Sequence, residues 1–257
     1  MTCKICNKKS THISDGIIMG KYPIKYFFCP HCGFIQTENP YWIKESYSNS
    51  IIISDTASLR RCLTNSAIVT IIILLLFDKK ASFLDYAGGY GLFTRRMRDI
   101  GFDFYWLDKY SKNIMALGFE YDGSRDIELV TSFESFEHFV APLVEFETIL
   151  SYSKNIFIST ELLPNLTPSL DQWHYWGSHH GQHISFYSYS TLCFIADKYN
   201  LHLNSYGNYH LFTEKPVSKY LFQLIFKLHK LKLFYFLKKN IVSKTITDSN
   251  SLRLISD

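Results

Sequence analysis

The sequence predicts an α/β fold with a small cysteine-rich module in front of it, and three observations carry that prediction. Two Cys-x-x-Cys pairs lie within the first 32 residues. From residue 81 onward, short apolar runs alternate with helical patterns, and a glycine-rich turn joins the first of those runs to its helix. Alternation of this kind builds a parallel sheet with helices on both faces.

At 257 residues the chain holds one full-sized domain and an appendage, and 47% hydrophobic with 17% aromatic content supplies a packed core. A formal net charge of +4 is too small and too dispersed to argue for nucleic acid. Positive charge gathers only in the last fifth, at Lys215, Lys219, Lys227, Lys230, Lys232, Lys238, Lys239 and Lys244. No charged and apolar leader follows Met1, so a reducing, cytoplasmic compartment is expected. The apolar run 67–77 is about half a membrane span and reads as a buried helix.

The elements follow in order. Cys3 and Cys6 are separated from Cys29 and Cys32 by a 22-residue spacer. Each Cys-x-x-Cys turn aims two thiolates at one point, and two such turns complete the tetrahedron that Zn²⁺ prefers. Four thiolates leave no open coordination position, so this zinc ribbon, residues 1–40, is structural. Tyr26, Phe27 and Phe28 form a strand entering the second pair, and His31 is a solvated or second-layer residue. Cys62 and Cys193, isolated in apolar or helical surroundings, receive no role. Residues 41–80 read as a helical connector with Ser54 or Asp55 as N-cap.

Residues 81–214 form the main domain. Strand 81–86, helix 92–100 stopped by Gly101, and strand 104–107 ending at Asp108 make a βαβ unit. Strand 129–133, a helix near 142–152 and strand 156–159 continue the alternation; helix 191–199 then precedes a hairpin of strands 201–206 and 209–213 about Gly207-Asn208. Residues 215–257 are a basic helical extension, in which 220–237 interleaves Leu221, Leu224, Ile225, Leu228 and Leu231 with lysines. Packing on the ribbon or a second subunit is the favoured reading of that stripe; contact with an anionic membrane surface is the alternative.

The turn Asp85-Tyr86-Ala87-Gly88-Gly89-Tyr90-Gly91 lets a ligand approach the backbone at a helix N-terminus. Asp108, 23 residues after Asp85, ends the next strand on the same sheet edge, where a carboxylate accepts the hydroxyls of a ribose.

Strand, turn, helix, strand and acid in this order resemble the class I methyltransferases that use S-adenosylmethionine, whose first motif is Asp-x-Gly-x-Gly-x-Gly. The resemblance covers residues 81–213 and implies a Rossmann-like, seven-stranded sheet ending in an antiparallel hairpin. It implies that Asp85, Ala87, Gly88, Gly89 and Gly91, with Phe133 at a neighbouring strand end, hold the cofactor and that Asp108 takes its ribose. Ala87 departs from the motif by standing at its first glycine. NAD is the competing ligand, disfavoured by the hairpin and the glycine spacing. The cysteine array resembles the zinc-binding module of sugar C-methyltransferases, which implies a carbohydrate-linked acceptor in surface-polysaccharide synthesis, methylated at carbon or oxygen.

Removing an acceptor proton calls for a base. Glu134, Glu137 and His138 follow strand 129–133, and this segment resembles the family stretch ending in Glu-His. A second cluster, Trp173, His174, Tyr175, Trp176, His179, His180, Gln182, His183 and Tyr187, follows a loop containing Pro164 and Pro168 and reads as a mobile aromatic substrate lid. His174, His179, His180 and His183 lack the i, i+4 glutamate-linked pattern of a zinc hydrolase. Residues 183–188 resemble the histidine segment entering the last helix of related methyltransferases. His183 is therefore the leading base, with a pKa near neutrality, and Glu137 and His138 orient substrate or share the duty. The other reading has Glu137 and His138 as solvated residues. The alternative functions are O-methylation of a phosphate-type or other small-molecule acceptor, and a nucleic-acid-binding ribbon. Against the latter, the spacer offers only Lys8, Lys9, Lys21 and Lys25 and no arginine to read bases. An oligomer is compatible with all of these readings.

Overall fold

The structure, a computed structural model, describes residues 1–47, 55–164, 169–170, 172–231, 234–237, 239 and 241–256. The expected Ser54 cap and Pro168 lie outside the described residues. In chain order the first elements are β1 (Thr11–Ile18), β2 (Tyr22–Phe28), β3 (Ile35–Thr37), α1 (Ile43–Ser46) and α2 (Ser58–Leu76). Then come β4 (Ser82–Tyr86), α3 (Leu92–Ile100), β5 (Asp103–Leu107), β6 (Ile127–Phe133), α4 (Pro142–Leu150) and β7 (Ile156–Ser159). The chain continues through β8 (Ser185–Phe186), α5 (Tyr189–Lys198), β9 (His202–Tyr206), β10 (Tyr209–Thr213), α6 (Lys219–Lys230), α7 (Phe234–Leu237) and α8 (Thr245–Ser256).

Two compact units form: Met1–Ile52 with Phe133–Pro216, and Ile53–Ser132 with Val217–Asp257. In the first, β1 and β2 make an antiparallel hairpin closed at Ile18↔Tyr22, where Met19 and Gly20 take positive φ. Strand β3 pairs with β2, and β8 pairs with β3 through Ile35↔Phe186 and Gln36↔Ser185. The ribbon sheet therefore recruits the segment that follows His183. The apolar faces explain why: Ile18, Ile24, Tyr26, Ile35 and Trp42 bury against Trp173, Tyr175, Trp176, Ile184 and Phe186 in one cluster. The aromatic stretch expected to be a mobile lid is thus core, because Trp173, Tyr175 and Trp176 are only 7%, 6% and 2% exposed. Burying such rings contributes about 1.5–3 kcal/mol each and outweighs any preference for an open loop.

In the second unit β4 pairs in parallel with β5 and with β6, and α3 follows the β4 turn. Helix α2 is longer than the apolar run that suggested it. Its 19 residues are long and apolar enough to cross a membrane, but its stretch Asn65–Ile73 is buried. It has no side-chain cap; Asp55 instead holds Arg61 through two hydrogen bonds of 2.9 and 2.6 Å. The expected helix 220–237 is α6 and α7, and α6 buries Phe222, Ile225 and Phe226 while Leu224 and Leu231 stay exposed. The last helix, α8, returns to α3: Asp248 accepts hydrogen bonds from Arg95 and, through both oxygens, from Arg98. Arg98 also stacks 3.6 Å over the Phe119 ring.

Among the described residues the strands of the main domain run β5-β4-β6 in the second unit and β7-β10-β9 in the first, six where seven were expected. Outside β5 residues 109–126 make only the single parallel bridge Trp106↔Glu120. Gly118 and Gly123 take positive φ there, and Asn113 and Asp122 side chains satisfy local backbone N–H groups, so the segment turns instead of extending. At the other edge β10 pairs antiparallel with both β7 and β9, the expected hairpin.

Candidate active site

The cofactor turn lies in the second unit. Asp85, the penultimate residue of β4, is 2% exposed and accepts hydrogen bonds from the Thr94 hydroxyl at 3.0 Å and the Thr131 hydroxyl at 3.5 Å. Burial pushes its carboxyl up to about 7, against the lowering effect of Thr94. After it, Ala87, Gly89 and Gly91 have φ of +57°, +56° and +83°, the left-handed region that favours glycine. A Cβ on Gly88 would lie 2.7 Å from Asp85 Oδ2 and 2.8 Å from Trp106, so that glycine is required by packing. A Cβ on Gly89 would meet nothing within 4 Å. This open backbone is a cradle; Gly91 precedes α3 without a side-chain cap, and the Thr94 backbone N–H in the first turn bonds to the Asp85 carboxyl.

Asp108 closes the cradle's far side. Its Oδ2 accepts from Gly89 N at 2.9 Å, and its Oδ1 accepts from Tyr110 N and Ser111 N at 2.7 Å. These bonds fix the carboxylate against the turn, and they were not foreseen from the sequence. The Trp106 indole, also missed, donates to Gly89 O at 2.9 Å and holds the turn from β5; its alternation along the strand was the available signal.

The proton-handling candidates come together in the first unit. Phe133 packs edge-to-face with Phe157, 5.8 Å between centroids. Glu134, at φ +49°, follows β6, and its N–H donates to the Ser159 carbonyl at 3.2 Å. Glu137 and His138 lie on a 3-10 turn, 136–138. Glu137 is fully buried, not solvated, and its Oε2 accepts from the Thr160 hydroxyl at 3.1 Å. His138 and His183 face each other edge-on at 5.1 Å, and His180 stands 4.7 Å from His183.

His183 Nδ1 lies 2.6 Å from the Tyr175 carbonyl. A carbonyl only accepts, so Nδ1 carries the proton and Nε2 the lone pair. Burial drives His138 well below the ordinary imidazole range, aided by the neighbouring His183 and His180; it also lowers His183, against the Tyr175 carbonyl, and takes His180 to about 3. His183 therefore lies below the near-neutral value expected of it, for want of a solvated charge. It does not cap α5 either: Ser188 does, in a capping box with Thr191.

The four cysteines of the first pair of turns also meet. All are free thiols, and their Sγ atoms lie within 4.8 Å of one another, with Cys3–Cys32 at 3.6 Å and Cys6–Cys29 at 3.4 Å. A tetrahedral Zn²⁺ with bonds of ~2.3 Å sets its sulfurs ~3.8 Å apart, so this donor set fits zinc. The thiol hydrogen bond from Cys32 lowers Cys3 to about 5, whereas burial raises Cys6 to about 11 and the bond to Cys3 raises Cys32, so metal binding there would release the protons of those thiols.

Several solved structures are similar to the chain at low identity. The plantazolicin methyltransferase BpumL, in complex with a monoazolic desmethylPZN analog and SAH, is 14% identical over 76% of this chain and 86% of its own, with TM-score 0.48. Magnesium protoporphyrin IX methyltransferase from Synechocystis PCC 6803, with bound SAH, is 10% identical over 68% and 95%, TM-score 0.42. A putative O-methyltransferase from Nostoc punctiforme PCC 73102 is 13% identical over 68% and 61%, TM-score 0.39. No curated protein matches. A sequence profile described as a methyltransferase domain matches residues 64–206, more than half of the chain and the whole stretch from the cradle to the terminal hairpin. The chain therefore belongs to the methyltransferase-domain family and is an S-adenosylmethionine-dependent methyltransferase.

Proposed function

We propose that the enzyme methylates a carbohydrate-linked small molecule and that Glu137, His138 and His183 remove the acceptor proton. The supporting observation is the fixed tautomer of His183, whose Nδ1–H is committed to the Tyr175 carbonyl so that Nε2 offers a lone pair beside two further titratable groups. Burial keeps this imidazole unprotonated at neutral pH, so its lone pair is present, while making it a weaker base than a solvated histidine. S-adenosylmethionine, when bound, supplies the electrophilic methyl group. Asp85, Ala87, Gly88, Gly89 and Gly91 would hold its methionine end and Asp108 its ribose.

The carbohydrate assignment rests on the cysteine array, which resembles that of sugar C-methyltransferases. Zinc at Cys3, Cys6, Cys29 and Cys32 would then be structural. The Cys32 carbonyl accepts from the Thr191 hydroxyl at 2.8 Å and from Ser190 at 3.2 Å, so the ribbon braces the start of α5. Methylation at carbon requires an acidic C–H beside a carbonyl, methylation at oxygen a hydroxyl; a base serves both.

The test is turnover of His183→Ala and His183→Gln, assayed by mass spectrometry on a panel of sugar nucleotides, phenols and peptides. A positioned base contributes about 10²- to 10⁴-fold, so both variants should lose that much while cofactor binding holds. Near-parental turnover of either variant excludes His183, and exclusive turnover of peptides or phenols excludes the carbohydrate reading.

A further inference from the structure

We propose that Glu137, His138 and His183 form a divalent-metal site, separate from the four cysteines, with two imidazoles and one carboxylate as ligands. The three residues offer one donor atom each, all within 4.8 Å of one another. Ligands ~2.1 Å from a tetrahedral ion stand ~3.4 Å apart, a difference that small side-chain rotations close. Two histidines and one acid, with positions left open, are the donor set of catalytic Zn²⁺ and of the other first-row divalent ions.

Both imidazoles are oriented as metal ligands are, by hydrogen bonds to backbone carbonyls on the far side of the ring. His183 Nδ1 donates to Tyr175 O at 2.6 Å. His138 bonds to the Gln182 backbone, while its Nδ1 is buried with no hydrogen-bond partner. That nitrogen is a lone pair held out of water, which costs about 1–3 kcal/mol unless something binds it. Glu137 adds a carboxyl with no exposure, and its charge helps push the Tyr175 and Tyr187 hydroxyls up after burial. A divalent cation would compensate that charge. The other titratable groups nearby are His180 and Glu134.

The set is also held rigidly. Ile184 N donates to Glu137 O at 2.9 Å, and the Ser185 hydroxyl donates to Phe139 O at 2.8 Å, joining segments 46 residues apart. The Trp42 indole donates to Gly181 O at 2.8 Å, and the Gln182 amide to Ser46 O at 2.7 Å, anchoring the loop before His183. The ion's role, holding and polarising an acceptor oxygen, rests on the methyl-transfer reading above and, because one lone pair cannot serve both, replaces the free-base role of His183 Nε2 while the ion is bound; its binding does not rest on that reading.

The experiment is Co²⁺ titration of the full-length, metal-stripped protein, read by metal content and absorption. Thiolate-bound Co²⁺ shows intense charge-transfer bands, whereas imidazole and carboxylate ligands give only weak visible bands, so the sites report separately. Two equivalents are expected, the second without thiolate bands. His183→Ala and Glu137→Gln should each lose that second equivalent and keep the first. One equivalent in the parent protein, carrying only thiolate bands, overturns the proposal, whether or not the variants fold. Should His183→Ala then still lose turnover, the base reading survives without the metal.

Discussion

Ala87 is the residue at which this chain departs from the glycine pattern, and the structure shows the consequence. At φ +57° its methyl group sits in a backbone region that costs an L-residue about 1–2 kcal/mol. Glycine adopts the same φ without that strain but loses more entropy on folding, so the two effects offset in part. Ala87→Gly should therefore stabilise the protein by about 0.5–1 kcal/mol and leave cofactor affinity within about twofold. Chemical denaturation of both proteins checks this, and a destabilised glycine variant would show that Ala87 packs favourably in the turn. Asp108 was legible because it follows a strand end; its three backbone donors were not, because two arise from a turn, 108–111, that no periodicity marks, and the third, Gly89 N, comes from a turn 19 residues earlier.

At the level of elements, the sequence was most readable where hydrophobic period and glycine agree. Helix α3 begins at Leu92 and stops at Gly101 as expected, and the hairpin of β9 and β10 turns at Gly207-Asn208. It was least readable where tertiary pairing decides. Strand β8 is only two residues long and exists because β3 offers an edge to it, so 185–186 read locally as a loop. For the same reason Trp173, Tyr175 and Trp176, which look like exposed recognition residues in a glycine-containing stretch, became core. The helical stripe at 220–237 was foreseen, but its buried face is set by Phe222, Ile225 and Phe226, of which only Ile225 was among the residues chosen from spacing. Helix α8 carries few apolar residues, and what fixes it, Asp248 between two arginines of α3, is a contact over 150 residues that no local pattern records.

For the molecule as a whole, buried titratable groups make stability depend on pH in opposite directions in the two units. In the first, His138, His180, His183 and His210 are all held neutral by burial, His180 at about 3 and His210 at about 4. An unfolded histidine binds a proton near 6.5, so below that pH the unfolded state takes up more protons. This contribution is whole above about pH 6.5 and is lost as pH falls towards 4. In the second unit Asp85 behaves oppositely: its folded carboxyl, raised to about 7, keeps a proton that the unfolded one releases near 4. Its contribution is whole below about pH 4 and is lost as pH rises through 7. Hydrogen exchange at pH 5 and pH 7 should show segments 133–139 and 180–212 less protected at the lower pH and 82–94 more protected. Protection that moves in the same direction in both segments would contradict this division.

The central claim is that the turn from Asp85 to Gly91, with Asp108, holds S-adenosylmethionine, and calorimetric titration with its demethylated product SAH tests it most directly. The parent protein should bind one equivalent. Asp108→Ala should weaken binding by about 1–3 kcal/mol, the scale for removing a charged hydrogen-bond acceptor. Gly89→Val should abolish it, since its side chain would fill the open cradle and a β-branched residue resists φ +56°. Parental affinity in both variants, or no binding by the parent, would contradict the account.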